Sequence, residues 1–480
     1  MPTIGGAEQD VASIAILDVG KTNVRLVAAD GAGRVAKTLA RSNGVLPGPP
    51  YPHFDVDGLI EWVLAGLSEF ASEFAIDVIV PVTHGACAAL IGKAGLVLPI
   101  LDYEYPAPEE VDDYEEDARR FDETGSPRLP FGLNLGRQLA WLEREFPDDF
   151  SSAEVLLPYP SYWAWRLCGV RAYEVTSLGC HTDLWCPDKD APSKLVRHRH
   201  WDRLFPERRR SWDRIGLVSE KIRKATGLRA SCSVLAGVHD SNASYLAHRS
   251  YRDDPFCVVS TGTWVVAMAH GGSIEGLCED RDTLANVDVY ADPTPTARFM
   301  GGREYAAIAG PDGLETEPTE MALRSVLDSG VLARPSFSET GGPFAELAGT
   351  IMGSRPTDPV DRAALAALYC ALVTDVCLEL IGARGEVVVE GRFAKNRIYC
   401  EILAALRGAG QSEDEGRLLS RSLDETGTIA GAALLARLPE RGLAPRLERV
   451  TAICCEEICV HRARWRTALE RSLKAGSSLP

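Results

Sequence analysis

The stretch Ile14–Asp30, IAILDVGKTNVRLVAAD, brings together side chains able to handle charge: Asp18, Lys21, Thr22 and Asn23 around Gly20. Gly-Lys-Thr also ends a P-loop, but a P-loop needs a glycine five positions before the Gly-Lys pair and a helix directly after it. Ala15 holds the first position, and NVRLVAAD, rich in β-branched and small residues, follows the second. The spacing therefore predicts a β-hairpin with a polar tip. Backbone N–H groups in such a glycine-containing turn can form a concave anion site without net positive charge. A second stretch of this kind, FCVVSTGTWVVAMAH, starts at Phe256 and places Ser260, Thr261, Gly262 and Thr263 at its turn. A third, LAGVHDSNASYLAHR from Leu235, puts His239 and Asp240 between an apolar run and a helix-like run. A carboxylate there can take a proton from an attacking hydroxyl, or it can simply cap the helix.

These residues need elements to hold them. Aligning Gly262 with Gly20 sets Asp18 opposite Ser260 and Thr22 opposite Trp264, about half a chain apart, so each half opens with a hairpin. Strand-like runs (IDVIVPVT, GEVVVEG) alternate with helical ones. GLNLGRQLAWLEREF has Leu135, Leu139, Leu142 and Phe146 at helical spacing, and DRAALAALYCALVTDVCLELIGAR is a long apolar helix leading into the strand Glu386–Glu390. The pattern predicts two similar α/β domains, residues 1–250 and 251–480, with HRSYRDDP breaking the pattern between them. Two such domains facing one another would form a central cleft, with the hairpin tips approaching one polyphosphate.

The 480 residues carry a formal net charge of −17, which disfavours sequence-independent nucleic-acid binding and leaves an anionic ligand to local dipoles or a metal ion. No basic-then-apolar leader and no long uncharged apolar run stands out, so neither a signal peptide nor a membrane span is expected. The 13 scattered cysteines lack any C-x-x-C, which fits free thiols in a reducing cytoplasm; Cys454, Cys455 and Cys459 form the only cluster. The acidic run Glu109–Asp117 reads as a solvated face, and the basic run RHRHWDRLFPERRR as a surface or subunit-contact patch.

Four segments in order resemble the FGGY carbohydrate kinases of the actin/hexokinase/Hsp70 superfamily: DVGKTN, GVHDSNA, STGTW, and VVVEGRFAKN with TGTIAGAALLA. GVHD and STGTW look nearest to the rhamnulokinase and fuculokinase branch. The resemblance implies two ribonuclease H-like (actin-like ATPase) domains and ATP-dependent phosphorylation of a sugar hydroxyl, most simply of a deoxyhexulose such as L-rhamnulose or L-fuculose. Another ketose or a polyol, or a sugar-binding regulator without turnover, are the alternatives. It implies Asp240 as general base, Asp18 acting through Mg²⁺, and a phosphate site from Gly20, Lys21, Thr22, Asn23, Ser260, Thr261, Gly262 and Thr263. Gly391, Arg392 and Asn396 would lie at the adenosine; relatives usually carry more glycine there, and Arg392 and Phe393 are expected to reshape that site, Arg392 by stacking on adenine. The sugar would meet the N-terminal half through Thr83, His84, Gly85, Asp102 or Glu104, His181, Asp183 and His239, with Trp185 as an apolar wall and Arg303 or Glu304 nearby. A homodimer is common among such relatives.

Overall fold

Both hairpins form, and each seeds a sheet. The computed structural model describes residues 13–111, 114, 120–408, 418–423, 427–440 and 445–476. Ile14–Val19 pairs antiparallel with Asn23–Ala29, and Phe256–Thr261 pairs antiparallel with Val265–His270. In each case the outer hairpin strand takes a third antiparallel strand (Val35–Ser42; Pro293–Phe299). The inner strand then pairs in parallel with one that follows a long helix (Val78–Thr83; Glu386–Gly391). A further parallel strand extends each sheet (Ser233–Leu235; Leu419–Ser422). The two halves thus repeat one order of three antiparallel strands and two parallel ones, the actin-like topology that the resemblance implied. The registers match as well: Asp18 lies across from Val82, and Ser260 across from Glu390.

The helices start where capping chemistry allows. Asp55 accepts the Gly58 N–H at 2.9 Å at the head of Val56–Glu73, and Asp358 accepts the Val360 N–H at 2.7 Å ahead of Pro359–Leu380. The second of these is long and apolar enough to cross a membrane, contrary to the expectation that no such run exists, but 89% of its most apolar window is buried inside the domain. It is a core helix. The predicted helix at Leu135 is also found, Leu135–Glu145. No disulfide forms among the 13 cysteines, and no group of three or more metal-ligating side chains occurs among the described residues. Most of the acidic run Glu109–Asp117 lies outside the described residues.

The chain divides between Tyr251 and Arg252, with two exceptions that no boundary in sequence can express. Residues 286–292 and 426–444 belong with the first unit. The second exception takes in the described part of TGTIAGAALLA, residues 427–436. Its helix, Gly427–Leu435, packs against Asp240–Arg249 so closely that a Cβ on Gly431 would lie 1.7 Å from the Ala243 carbonyl oxygen. Glycine lets the backbones meet. Replacing it forces the helix that begins with Asp240 to move, so Gly431→Ala is expected to cost at least about 1–3 kcal/mol and to lower turnover along with it. Paired thermal melts and kinetics check this; wild-type values for both would show that the contact is not needed.

Candidate active site

The strand Val78–Thr83 brings the acidic residues together. On one side Val82 pairs with Asp18; on the other, Val238–His239 pairs in parallel with Val82–Thr83. Gly237, at φ +98, makes the bend that admits this short strand, where a side chain would strike Pro160 at 2.7 Å. The helix Asp240–Arg249 starts directly after it. Asp18 and Asp240 therefore reach the same end of one strand from its two sides, and the Asp240 charge acts on Asp18.

Asp240 is the first helical residue, and His239 occupies the cap. Its Oδ1 accepts the Ser241 N–H at 2.6 Å and the Ser241 hydroxyl at 3.2 Å. The side chain keeps 34% exposure, an opening through which a hydroxyl can reach it. Burial pushes the carboxyl above the usual range, opposed first by the neighbouring His84. Asp18 is also raised by burial, against the lowering effect of Arg25.

Histidines line this pocket. His239 Nε2 lies 3.3 Å from Asp240 Oδ1, and its backbone N–H is held by the Thr176 hydroxyl at 3.0 Å. His84 Nδ1 faces the Gly85 carbonyl at 2.8 Å, while Nε2 is buried without a protein partner. Its ring packs among Phe54, Tyr103 and Tyr159 at 5.2–5.5 Å. Burial pulls both histidines down to about 4, so each is neutral at pH 7 and offers a hydrogen bond rather than a charge. A Cβ on Gly85 would sit 2.9 Å from His239 Nε2 and 3.8 Å from His181 Nε2, so the bare glycine keeps the space between these rings open. His181, in a left-handed turn at φ +42, has its Nδ1 3.0 Å from the Leu133 carbonyl.

Several expected ligands do other work. Thr83 is wholly buried and donates its hydroxyl to the His84 carbonyl at 3.0 Å, which holds the histidine's backbone. Asp183 is buried and accepts the Tyr114 hydroxyl. Trp185 lies in the hydrophobic core of the first unit, not on a pocket wall. Glu304 is buried in the second unit, accepting from Phe337 N–H at 2.9 Å and from the Tyr369 hydroxyl, while Arg303 is exposed. Lys21 does not project from its hairpin: it pairs with Asp102 and lies 3.4 Å from Glu104.

The first turn has a support that was not anticipated. Asn43 donates its side-chain amide to the Gly20 carbonyl at 2.8 Å and its backbone N–H to the Thr22 carbonyl at 2.9 Å. In planar trans peptides this turns the N–H groups of Lys21 and Asn23 the other way. Thr22 and Asn23 are exposed there. Arg25 was also missed; its Nε and Nη2 lie 2.9 and 2.5 Å from Asp18 Oδ2. The signal was present, since folding a hairpin about Lys21–Thr22 sets residue 25 opposite residue 18.

In the second unit the turn is formed by Gly262, Thr263 and Trp264, with Gly262 donating its N–H to the Trp264 carbonyl at 2.9 Å, while Ser260, expected at the turn, lies within the strand opposite Val266. Gly302 packs beneath it, where a Cβ would come within 2.4 Å of the Gly262 oxygen. The Thr261 hydroxyl donates to the Glu390 carbonyl at 2.5 Å and accepts the Phe393 N–H at 2.7 Å, tying two strands together. Gly391, at φ +79, passes Thr261 so closely that a Cβ would lie 2.2 Å from its oxygen. Phe393 packs into the core against Tyr305 and Tyr399 at 5.5 and 4.9 Å. Arg392 stays half exposed, 3.8 Å from Glu315, and the Asn396 side chain caps a helix by accepting the Tyr399 N–H at 3.0 Å.

A carbohydrate kinase from Novosphingobium aromaticivorans of known crystal structure is 35% identical to this chain, with a TM-score of 0.88 over 96% of this chain and 99% of its own. The chain belongs to the FGGY carbohydrate kinases. The carbohydrate kinase FGGY C-terminal domain matches residues 253–445 of this FGGY chain. The L-fuculokinases of Salmonella typhi and Escherichia coli K12 are 27% and 25% identical to it, over 56% and 55% of its length. The chain spans just over half the length of these curated relatives, 58% and 57%. A xylulose kinase from Lactobacillus acidophilus, 13% identical, shares the fold with a TM-score of 0.77 over 97% of this chain and 99% of its own.

The neutrality of the pocket histidines of this FGGY protein is directly measurable. His84 and His239 should titrate in NMR with midpoints near 4. A midpoint above about 7 for either would show that imidazolium, not imidazole, faces Asp240 at neutral pH.

Proposed function

We propose that this FGGY protein transfers the γ-phosphate of ATP to a hydroxyl of a small sugar, with L-fuculose or L-rhamnulose as the first substrates to try. The observation that carries the reading is the placement of a partly open Asp240 against the neutral imidazoles of His84 and His239, at a strand end it shares with Asp18. Asp240 is then the general base: it aligns the sugar hydroxyl and takes its proton as the oxygen–phosphorus bond forms. Its raised affinity for protons matches that task. His84 and His239, with His181 beyond Gly85, orient the remaining hydroxyls as neutral hydrogen-bonding partners.

Asp18 suits a Mg²⁺ held through water. It is one carboxylate, shared with Arg25 and sensing the charge of Asp240, whereas Mg²⁺ keeps several waters and takes its other ligands from phosphate. When bound, the ion would neutralise phosphate charge. In this reading the backbone N–H groups at Lys21 and Asn23 are the phosphate donors of the first unit, with a hydroxyl from Thr22; within the second unit, Ser260 at the strand end and the turn of Gly262 and Thr263 carry the phosphate motif, and Gly391 keeps a neighbouring backbone close. The fuculokinase relatives favour a deoxyhexulose, while a different ketose or a polyol such as xylulose, ribulose or erythritol is the second reading. A homodimer in the cytoplasm belongs to the same proposal.

The test is a panel of ketoses and polyols with Mg²⁺-ATP, reading sugar-dependent ADP release. Asp240→Asn should lower kcat by about 10²–10⁴-fold while calorimetry still detects sugar binding. Full turnover in that variant would remove the assigned base, and no ADP release with any sugar would remove the kinase reading. Activity should also fall as pH drops through the raised Asp240 range, since the base works only when ionised. An acid limb at the ordinary carboxylate range would contradict its environment.

A further inference from the structure

Lys21 sits at the tip of a hairpin whose backbone is the proposed phosphate site, yet its side chain turns elsewhere. It ion-pairs with Asp102, with side-chain exposures of only 17% and 11%, and Glu104 lies 3.4 Å away. Its ammonium lies over Phe54 at 5.0 Å and Tyr103 at 4.7 Å, the two rings that also flank His84. The His84 ring feels the charges of both Lys21 and Asp240, and the Tyr103 phenol those of Asp102, Glu104 and Asp240. The pair therefore stands on the sugar side of Asp240.

We propose that the Lys21–Asp102 pair is the sugar-selecting contact of this site and restricts its substrate to uncharged sugars and polyols, excluding sugar acids. The inference rests on the kinase reading above. A polyol hydroxyl both donates and accepts, and the pair offers both: ammonium hydrogens on Lys21 and carboxylate lone pairs on Asp102. A sugar carboxylate meets a different balance. Beside Lys21 stand two carboxylates, Asp102 and Glu104, and the charge of a third, Asp240, acts on the same His84 ring as Lys21, while the histidines are neutral. To bind Lys21 a sugar acid must displace Asp102, leaving a buried carboxylate unpaired, and must lie among like charges. A neutral sugar disturbs neither.

The test compares neutral sugars with aldonates of matched stereochemistry on wild-type protein, then on Lys21→Met, Lys21→Arg and Asp102→Asn. Wild type should prefer the neutral sugar at least about 100-fold in kcat/KM, and Lys21→Met should raise the sugar KM at least about tenfold with the ATP KM within twofold. Lys21→Arg should restore part of the sugar KM, as a merely destabilising change would not allow. Asp102→Asn, which frees the ammonium, should narrow the neutral-to-acid ratio at least about tenfold.

A raised ATP KM with an unchanged sugar KM in Lys21→Met would return Lys21 to the phosphate and overturn the proposal, as would equal wild-type use of aldonate and neutral sugar. If Lys21→Met does not fold, the Asp102→Asn ratio reads the same contact. If wild type phosphorylates no sugar at all, the kinase reading fails first; the selection is then read by calorimetry with the same sugar pairs, and equal binding of acid and neutral forms overturns it.

Discussion

The strand Val78–Thr83 has neighbours on both edges, and the site depends on that constraint. One ladder fixes Asp18 and the other fixes His239 and Asp240, each through backbone hydrogen bonds rather than side-chain packing. Register in a sheet is discrete: a slip of one residue would turn every side chain to the other face. Two carboxylates that repel one another are thus held near each other by bonds that neither of them makes.

Burial then gives these groups their chemistry. It raises Asp240 and Asp18 and lowers His84 and His239 for one reason, the loss of water around a charge. The result is a carboxyl of raised proton affinity beside two neutral imidazole rings. Its supports lie one layer out. Thr83 holds the His84 backbone, Thr176 holds that of His239, Asn43 turns the peptide groups of the first hairpin, and Gly431 lets the helix of Asp240 seat.

The second unit uses the same topology with different side chains. Where the first hairpin has the Asp18–Arg25 pair across its strands, the second has Ser260 opposite Val266. Its turn is uncharged, and Thr261 and Gly391 spend their special features on joining two strands. The repeat therefore keeps the backbone geometry, while a charged pair crosses the hairpin of the first copy and not that of the second.

The amino-acid sequence by itself determined the hairpins, their repetition, the long helices and the position of Asp240 at a strand–helix junction. Each of these follows from local periodicity, turn chemistry or a short run of residues. It also contained the Asp18–Arg25 pairing, because a hairpin folds residues together symmetrically about its turn. Only the tertiary structure decided which side chains face a pocket. Thr83, Thr261, Asn396, Trp185 and Glu304 have the right chemistry for ligands, but their polar atoms or rings are taken up by carbonyls, helix ends and the core. Lys21 joins Asp102 across 81 residues, and Gly431 meets Ala243 across nearly two hundred. Such pairings depend on how distant segments pack, and a one-dimensional pattern carries no term for that.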